Sequence, residues 1–364
     1  MSDNKPVQLG LCCLNTILRA QKPPVFASRK MIIRTVKEQG IDALKEKILQ
    51  NLRDILTMMD WNEQNGIKVF RLSSELFPHK SNPKVEDYTY EFARDLLTQI
   101  GEKSKLYNQR LTFHPGQYNV VGTPNKKAFE QTIVDLKYHA DVLAMINSDE
   151  AVMVVHGGGV YGDKDATIAR WCEQYNQLPE VVRKYLVLEN CEKCFSIEDC
   201  LRVSKEVNIP VVFDTHHYAC YCQLHPEEKF KPAGEYIPEI LESWAKRGIK
   251  PKFHVSEQGS GRVGHHSDYI EVIPDYLMEI PEKFGVEIDI MIEAKMKEQA
   301  IFRLYEKYPI LNCKKGTIIK PTKMPDFEWV NKYCKDCDCC GDGVGLKLKK
   351  KKKKKLVIVG KLSE

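Results

Sequence analysis

The stretch VVFDTHH, residues 211–217, runs an apolar segment straight into a carboxylate and two imidazoles. Such groups do not lie in a dry core without partners, so the chain either leaves the core here or holds something at this point. Seven other short runs share the pattern: QLGLCCLN (8–15), IKVFRLSS (67–74), QRLTFHPG (109–116), AVMVVHGGG (151–159), YLVLEN (185–190), PKFHVSE (251–257) and DIMIEAK (289–295). Helical periodicity fills the gaps. Ile41, Leu44, Ile48, Leu52, Ile55 and Met59 fall three or four apart and make one apolar stripe, and SIED at Ser196–Asp199 reads as a capping box opening a helix. Near-continuous apolar strands alternating with amphipathic helices predict a parallel sheet covered by helices. Eight repeats predict an α/β fold of the (β/α)8 TIM-barrel type, with a doubly wound sheet as the alternative. In a barrel, the polar C-terminal edges of all eight strands converge on one mouth.

Composition narrows the function. The 364 residues are 43% hydrophobic, enough for a large core, and contain no run of about 18 apolar residues, so membrane spanning is not expected. Thirteen scattered cysteines in so long a chain suit a reducing, intracellular compartment better than a disulfide framework. The formal charge of +5 is a property of the end of the chain: beyond residue 340, nine lysines against Asp342 and Glu364 give +7 and leave −2 on the rest. Periodicity stops near residue 312. The expected organisation is a barrel over 1–312, a cysteine-containing extension over 313–340 and a lysine-rich tail over 341–364. Seven consecutive lysines repel one another and stay solvated, as a nuclear-targeting signal, a DNA-binding arm or a solubilising end. Cys334, Cys337, Cys339 and Cys340 could bind a structural zinc as a small knuckle, against which four thiols within seven residues are the wrong shape for the usual two-pair arrangement.

The strand ends carry the chemistry. Seven of the ten histidines cluster there, as His114, His156, His216, His217, His254, His265 and His266, together with Glu189, Asp214, Lys252 and Glu293. A single such histidine is more often a hydrogen-bonded structural group. Recurrence in one topological position on successive strands points instead to two or three divalent cations, because one zinc needs only three or four ligands. A cluster of that kind can clamp a phosphodiester and assist its hydrolysis. Lys252 and His254, two residues apart on a strand, face the same side. Lys252 is read as snorkelling to solvent, pairing with a carboxylate, contacting phosphate or becoming a carboxylated ligand. Gln117 and Tyr118 suit base contacts, with loop capping as the plain alternative. Strand alternation pairs Asp214 with His216 rather than His217.

In order, RLSSELFPH, LTFHPGQY, VVHGGG, LEN, FDTHHY, KFHVSEQ, HHSDYI and IEAKMKEQA resemble the UV damage endonuclease family, relatives of endonuclease IV and of xylose-isomerase-like barrels. The likeness covers about four fifths of the chain, from LGLCCLN to IEAKMKEQA. It implies an enzyme with two or three divalent metals, manganese foremost and zinc or magnesium as alternatives, that nicks double-stranded DNA immediately 5′ of ultraviolet photoproducts and leaves a 3′-hydroxyl; one duplex reaching one open barrel mouth suits a monomer. Carried over by motif, one metal takes His114, His156 and Glu189; a second takes Glu189, Asp214, His254 and Glu293; a third takes His217 and His266. Glu189, Lys252 and Glu293 are the implied catalytic groups. Asn15, Gln117 and Tyr118 are the implied lesion contacts, and His79, His216 and His265 the supporting ones. The choice of His217 requires the chain to turn out of the strand immediately after Asp214. The sequence departs from the family at Asn82, where a histidine is usual, at Leu11, where an aromatic is expected beside Asn15, and at Met296, where a charge is usual. A sugar isomerase and a non-catalytic DNA-binding barrel are the competing functions.

Overall fold

Each of the eight apolar runs forms a strand in a computed structural model, which describes residues 6–311. They are β1 (Val7–Cys12), β2 (Val69–Arg71), β3 (Arg110–Phe113), β4 (Val152–His156), β5 (Leu186–Glu189), β6 (Val211–Asp214), β7 (Lys252–Val255) and β8 (Ile288–Ile292). All pairs are parallel, each strand adjoins the next in sequence, and β8 pairs with β1 to close the barrel. The doubly wound alternative is excluded. The 313–340 extension, its thiol cluster and the 341–364 tail lie outside the described residues.

Helices cover the barrel for the reason their periodicity announces. In the helix Ile41–Gln64, the face bearing Leu44, Ile48, Leu52, Ile55 and Met59 is fully buried. SIED is a capping box: the Ser196 hydroxyl accepts the Asp199 N–H at 3.2 Å while the Asp199 carboxylate accepts the Ser196 N–H at 2.9 Å. Three helices end on an asparagine in the left-handed region, Asn108, Asn147 and Asn208, each of which reverses the chain into the loop before a strand.

Strand alternation divides the interior. One face packs Leu9, Leu11, Phe70, Phe113 and their equivalents against the helices, while Cys12, Val69 and Met291 form a small separate apolar cluster. A Cβ on Gly10 would come within 2.9 Å of the Met291 side chain, so glycine is what lets methionine fill the barrel centre. Arg110 closes the lower end through Asp289 at 2.8 Å, and Lys250 reaches the same carboxylate at 2.8 Å. The upper end opens into a cavity lined by His114, His156, His217, His266, Glu192 and Glu293 among others.

Candidate active site

The upper rim is built by strand ends. His156, Glu189 and Asp214 are the last residues of β4, β5 and β6, and His114 and Glu293 follow directly on β3 and β8. Register places His156 beside Glu189 and Asp214 beside His254. At the centre stands the fully buried Glu189. Its carboxylate lies 2.9 Å from His114 Nε2, 3.2 Å from His156 Nε2, 2.7 Å from His254 Nδ1 and 3.8 Å from His217 Nδ1. Burial pushes this carboxyl up, but the surrounding imidazoles, His254 first, outweigh burial and hold it well below the usual range. Glu293 is also held low: Arg71, 2.7 Å from it, and His254 overcome its burial.

The chain leaves the strand at Asp214. A helix, Thr215–Leu224, begins with the next residue, and Asp214 caps it by accepting the His217 N–H at 2.8 Å through Oδ1. That first turn carries His217 inward, where its Nδ1 lies 3.0 Å from Asn190 O and 3.8 Å from both Glu189 and Asp214. His216 is turned aside to Ser256 Oγ at 3.1 Å and Gln258 Oε1 at 3.2 Å. Simple alternation fails because the strand has already ended. Burial raises the Asp214 carboxyl to about 7, with Glu189 and Glu293 adding to the rise; burial opposes protonation of His217, yet Asp214 and Glu189 bring it up to about 10.

Burial depresses His254 to about 4 and His266 to about 3. His266 faces Glu293 at 4.0 Å, whereas His265 lies nearer solvent, accepting from Arg262 Nε at 3.2 Å. Lys252 does not snorkel. It is fully buried with Nζ against His254 Nε2, and burial, reinforced by Arg71, lowers it to about 7.

The donor set fits divalent cations. Oxygen and nitrogen atoms of His114, His156 and Glu189 converge within 4.8 Å of one another, as do those of Glu189, Asp214 and His217, and those of His114, His254 and Glu293. Asp214 Oδ2 and His266 Nδ1 are buried without a hydrogen-bond partner among the described residues, an arrangement that a cation would compensate. The donor atoms converge in overlapping groups: His254 Nδ1 also lies 2.7 Å from Glu189 and 3.2 Å from Glu293.

The remaining expected residues separate clearly. Gln117 and Tyr118 stand exposed on the loop after β3, Tyr118 at 67% exposure, while Asn119 does the capping, donating to Gly116 O and Asp135. A Cβ on Gly116 would come within 2.5 Å of the Tyr118 ring. Asn15 is fully buried and caps a helix by accepting the Leu18 N–H at 2.8 Å, so in this conformation it is no surface contact. Leu11 points into the core rather than toward the mouth. His79 is also outside the cluster, with Nε2 2.6 Å from Met31 O.

Several residues went unread in the sequence. Arg71, at the end of β2, lies inside a quoted run but looks like any strand arginine until Glu293 arrives from 222 positions away. Glu298 accepts the N–H groups of Thr16 and Ile17 at 2.8 and 3.0 Å and so fixes the loop after β1. Tyr161, half exposed on the glycine-rich loop after β4, gave only the signal of an isolated aromatic. Lys193 and Arg262 line the mouth cavity with Gln117. Cys191 and Cys194 form a spaced pair just beyond Glu189; a hydrogen bond from Cys191 lowers the Cys194 thiol to about 6.

Comparison with known proteins decides the family. Residues 7–323 match the family model described as UV-endonuclease UvdE. The chain belongs to the UV-endonuclease UvdE family. A protein of Acanthamoeba polyphaga mimivirus that carries a UV-damage endonuclease name is 40% identical over 83% of this chain and 91% of its own length. The UV-damage endonuclease of Schizosaccharomyces pombe is 37% identical over 85% of this chain but only 52% of its own. Among solved structures, SacUVDE superposes with a TM-score of 0.71 at 25% identity, covering 84% of this UvdE-family chain and all of that one. Membership supports an endonuclease of DNA repair and leaves the sugar isomerase alternative without support.

Proposed function

We propose that the protein nicks duplex DNA immediately 5′ of ultraviolet photoproducts, leaving a 3′-hydroxyl, with two or three divalent cations, manganese foremost, at the barrel mouth. The observation that supports this most is the fully buried Glu189 carboxylate, surrounded by ring nitrogens of four histidines. Such a carboxylate is placed to bridge cations. His114, His156 and Glu189 would hold one; Glu189, Asp214, His254 and Glu293 a second; His217 and His266 a third. Five imidazoles among these ligands suit manganese or zinc better than magnesium. When bound, the cations supply Lewis acidity toward the phosphoryl oxygens and lower the pKa of water.

The chain's own groups do the rest. Arg71 holds the Glu293 carboxylate in its ionised form and fixes its direction. Lys252, loosened to about 7, exchanges a proton at Nζ beneath His254. Lys193 and Arg262 at the mouth take flanking phosphates, while Tyr118, Gln117 and Tyr161 probe the duplex where photoproducts weaken stacking.

The test uses irradiated and unirradiated plasmid incubated with purified protein and manganese, with Glu189→Gln in parallel. Selective nicking of irradiated DNA that the variant lacks is expected. Equal nicking of both plasmids would overturn the repair reading, and an active variant would overturn the role of Glu189.

A further inference from the structure

The turn after β5 carries two thiols that the proposed chemistry does not use. Cys191-Glu192-Lys193-Cys194 begins two residues beyond Glu189. Cys191 Sγ accepts the main-chain N–H groups of Cys194 at 3.2 Å and Phe195 at 3.1 Å, and the Cys191 N–H donates to Phe195 O at 2.9 Å. These bonds wind the segment into a tight turn that carries both thiols. Cys191 is buried and Cys194 is partly open to solvent.

The same turn reaches the proposed ligands from three directions. The Asn190 amide exchanges hydrogen bonds with the Asp214 main chain at 2.9 and 3.0 Å, and Asn190 O contacts His217 Nδ1. Glu192 and Lys193 line the mouth cavity. Phe195 lies so close to Gly157, the neighbour of His156, that a Cβ there would meet its ring at 2.2 Å.

We propose that Cys191 and Cys194 are a thiol modification site, at which hydrogen peroxide closes a disulfide that disables the adjacent ligand set. The Cys194 sulfur attacks one peroxide oxygen, the O–O bond breaks, and a sulfenic acid and one water result. The Cys191 sulfur then attacks the Cys194 sulfur, the S–O bond breaks, and a second water leaves with the Cys191 proton. Two thiols are oxidised to a disulfide while one peroxide is reduced to two waters. A disulfide holds its Cβ atoms about 3.5–4.5 Å apart and makes Cys191 a poorer acceptor for the two N–H groups it now binds. Weakening those two bonds loosens the turn that carries Asn190 and Glu192.

Only the activity readout rests on the proposed nuclease function. Full-length manganese-loaded protein is exposed to peroxide, alkylated and peptide-mapped, with nicking of irradiated plasmid measured before and after dithiothreitol. The expected result is a Cys191–Cys194 disulfide lacking two hydrogens. Nicking and manganese affinity should both fall about 10- to 100-fold, the range for groups that orient metal ligands, and recover on reduction. Cys194→Ser should nick at the wild-type rate and keep that rate after peroxide; Cys191→Ser gives a second resistant variant. Alkylation of both thiols after peroxide, or equal inactivation of Cys194→Ser, overturns the proposal. If reduced wild type never nicks irradiated DNA, the nuclease reading falls instead, and mapping with manganese affinity still decides the disulfide.

Discussion

Glu189 shows how a single buried charge defines a site. A carboxylate with no solvent is tolerable only because His254, His156 and His114 surround it, and the same crowding gives it the ligand role proposed above. Glu189→Gln keeps the shape and removes the charge; we expect nicking to fall by more than about 100-fold, beyond the range for groups that merely orient ligands. Rate measurements on irradiated plasmid, with metal content of the variant, check this. Tyr118 belongs to the other half of the work. Its exposed ring lies over Gly116 and its hydroxyl reaches Asp135 at the long distance of 3.4 Å, so Tyr118→Ala should change thermal stability little. It should weaken binding to irradiated duplex by about 1–3 kcal/mol, the worth of one base stacked on an aromatic ring, as read by fluorescence anisotropy.

Strand ends and helix starts share residues in this fold. Asp214 is at once the end of β6, the cap of the next helix through Oδ1 and a candidate ligand through Oδ2. This double duty is why His217, not His216, turns inward. The capping box at Ser196 was legible because its hydroxyl and carboxylate lie three residues apart, a purely local signal. Ser196→Ala should cost about 1 kcal/mol of stability, lowering Tm by roughly 2 °C without changing the nicking rate of the reduced protein. Thermal denaturation followed by circular dichroism measures it.

At the scale of the whole barrel, the two ends have different tasks. The lower end is an ion cluster of Arg110, Asp289 and Lys250, closed and far from the mouth. Asp289→Asn leaves the buried Arg110 uncompensated; stability should fall by about 3 kcal/mol in denaturant unfolding, with KM for irradiated DNA unchanged. The upper end is a concentration of carboxylates and imidazoles suited to cations. Chelation should therefore abolish nicking and also lower Tm, because a cation that binds only the folded chain stabilises it by mass action. Manganese should restore both, with two or three equivalents bound per chain in a titration.

The sequence by itself determined the eight strands, their covering helices and the ring of polar strand ends, because period and capping are local and each strand end repeats one position in the βα unit. It also carried the family motifs. Tertiary structure alone decided which polar residues meet. Arg71 pairs with Glu293 only because β2 and β8 flank β1 in a closed ring, and the spacing of neither residue announces it. Asn15 and Leu11 turned inward because loop and core packing, not strand position, set their direction. The choice between adjacent histidines depended on the residue at which β6 gives way to helix, a boundary fixed by the Asp214 cap and by the Asn190 side chain reaching across from β5.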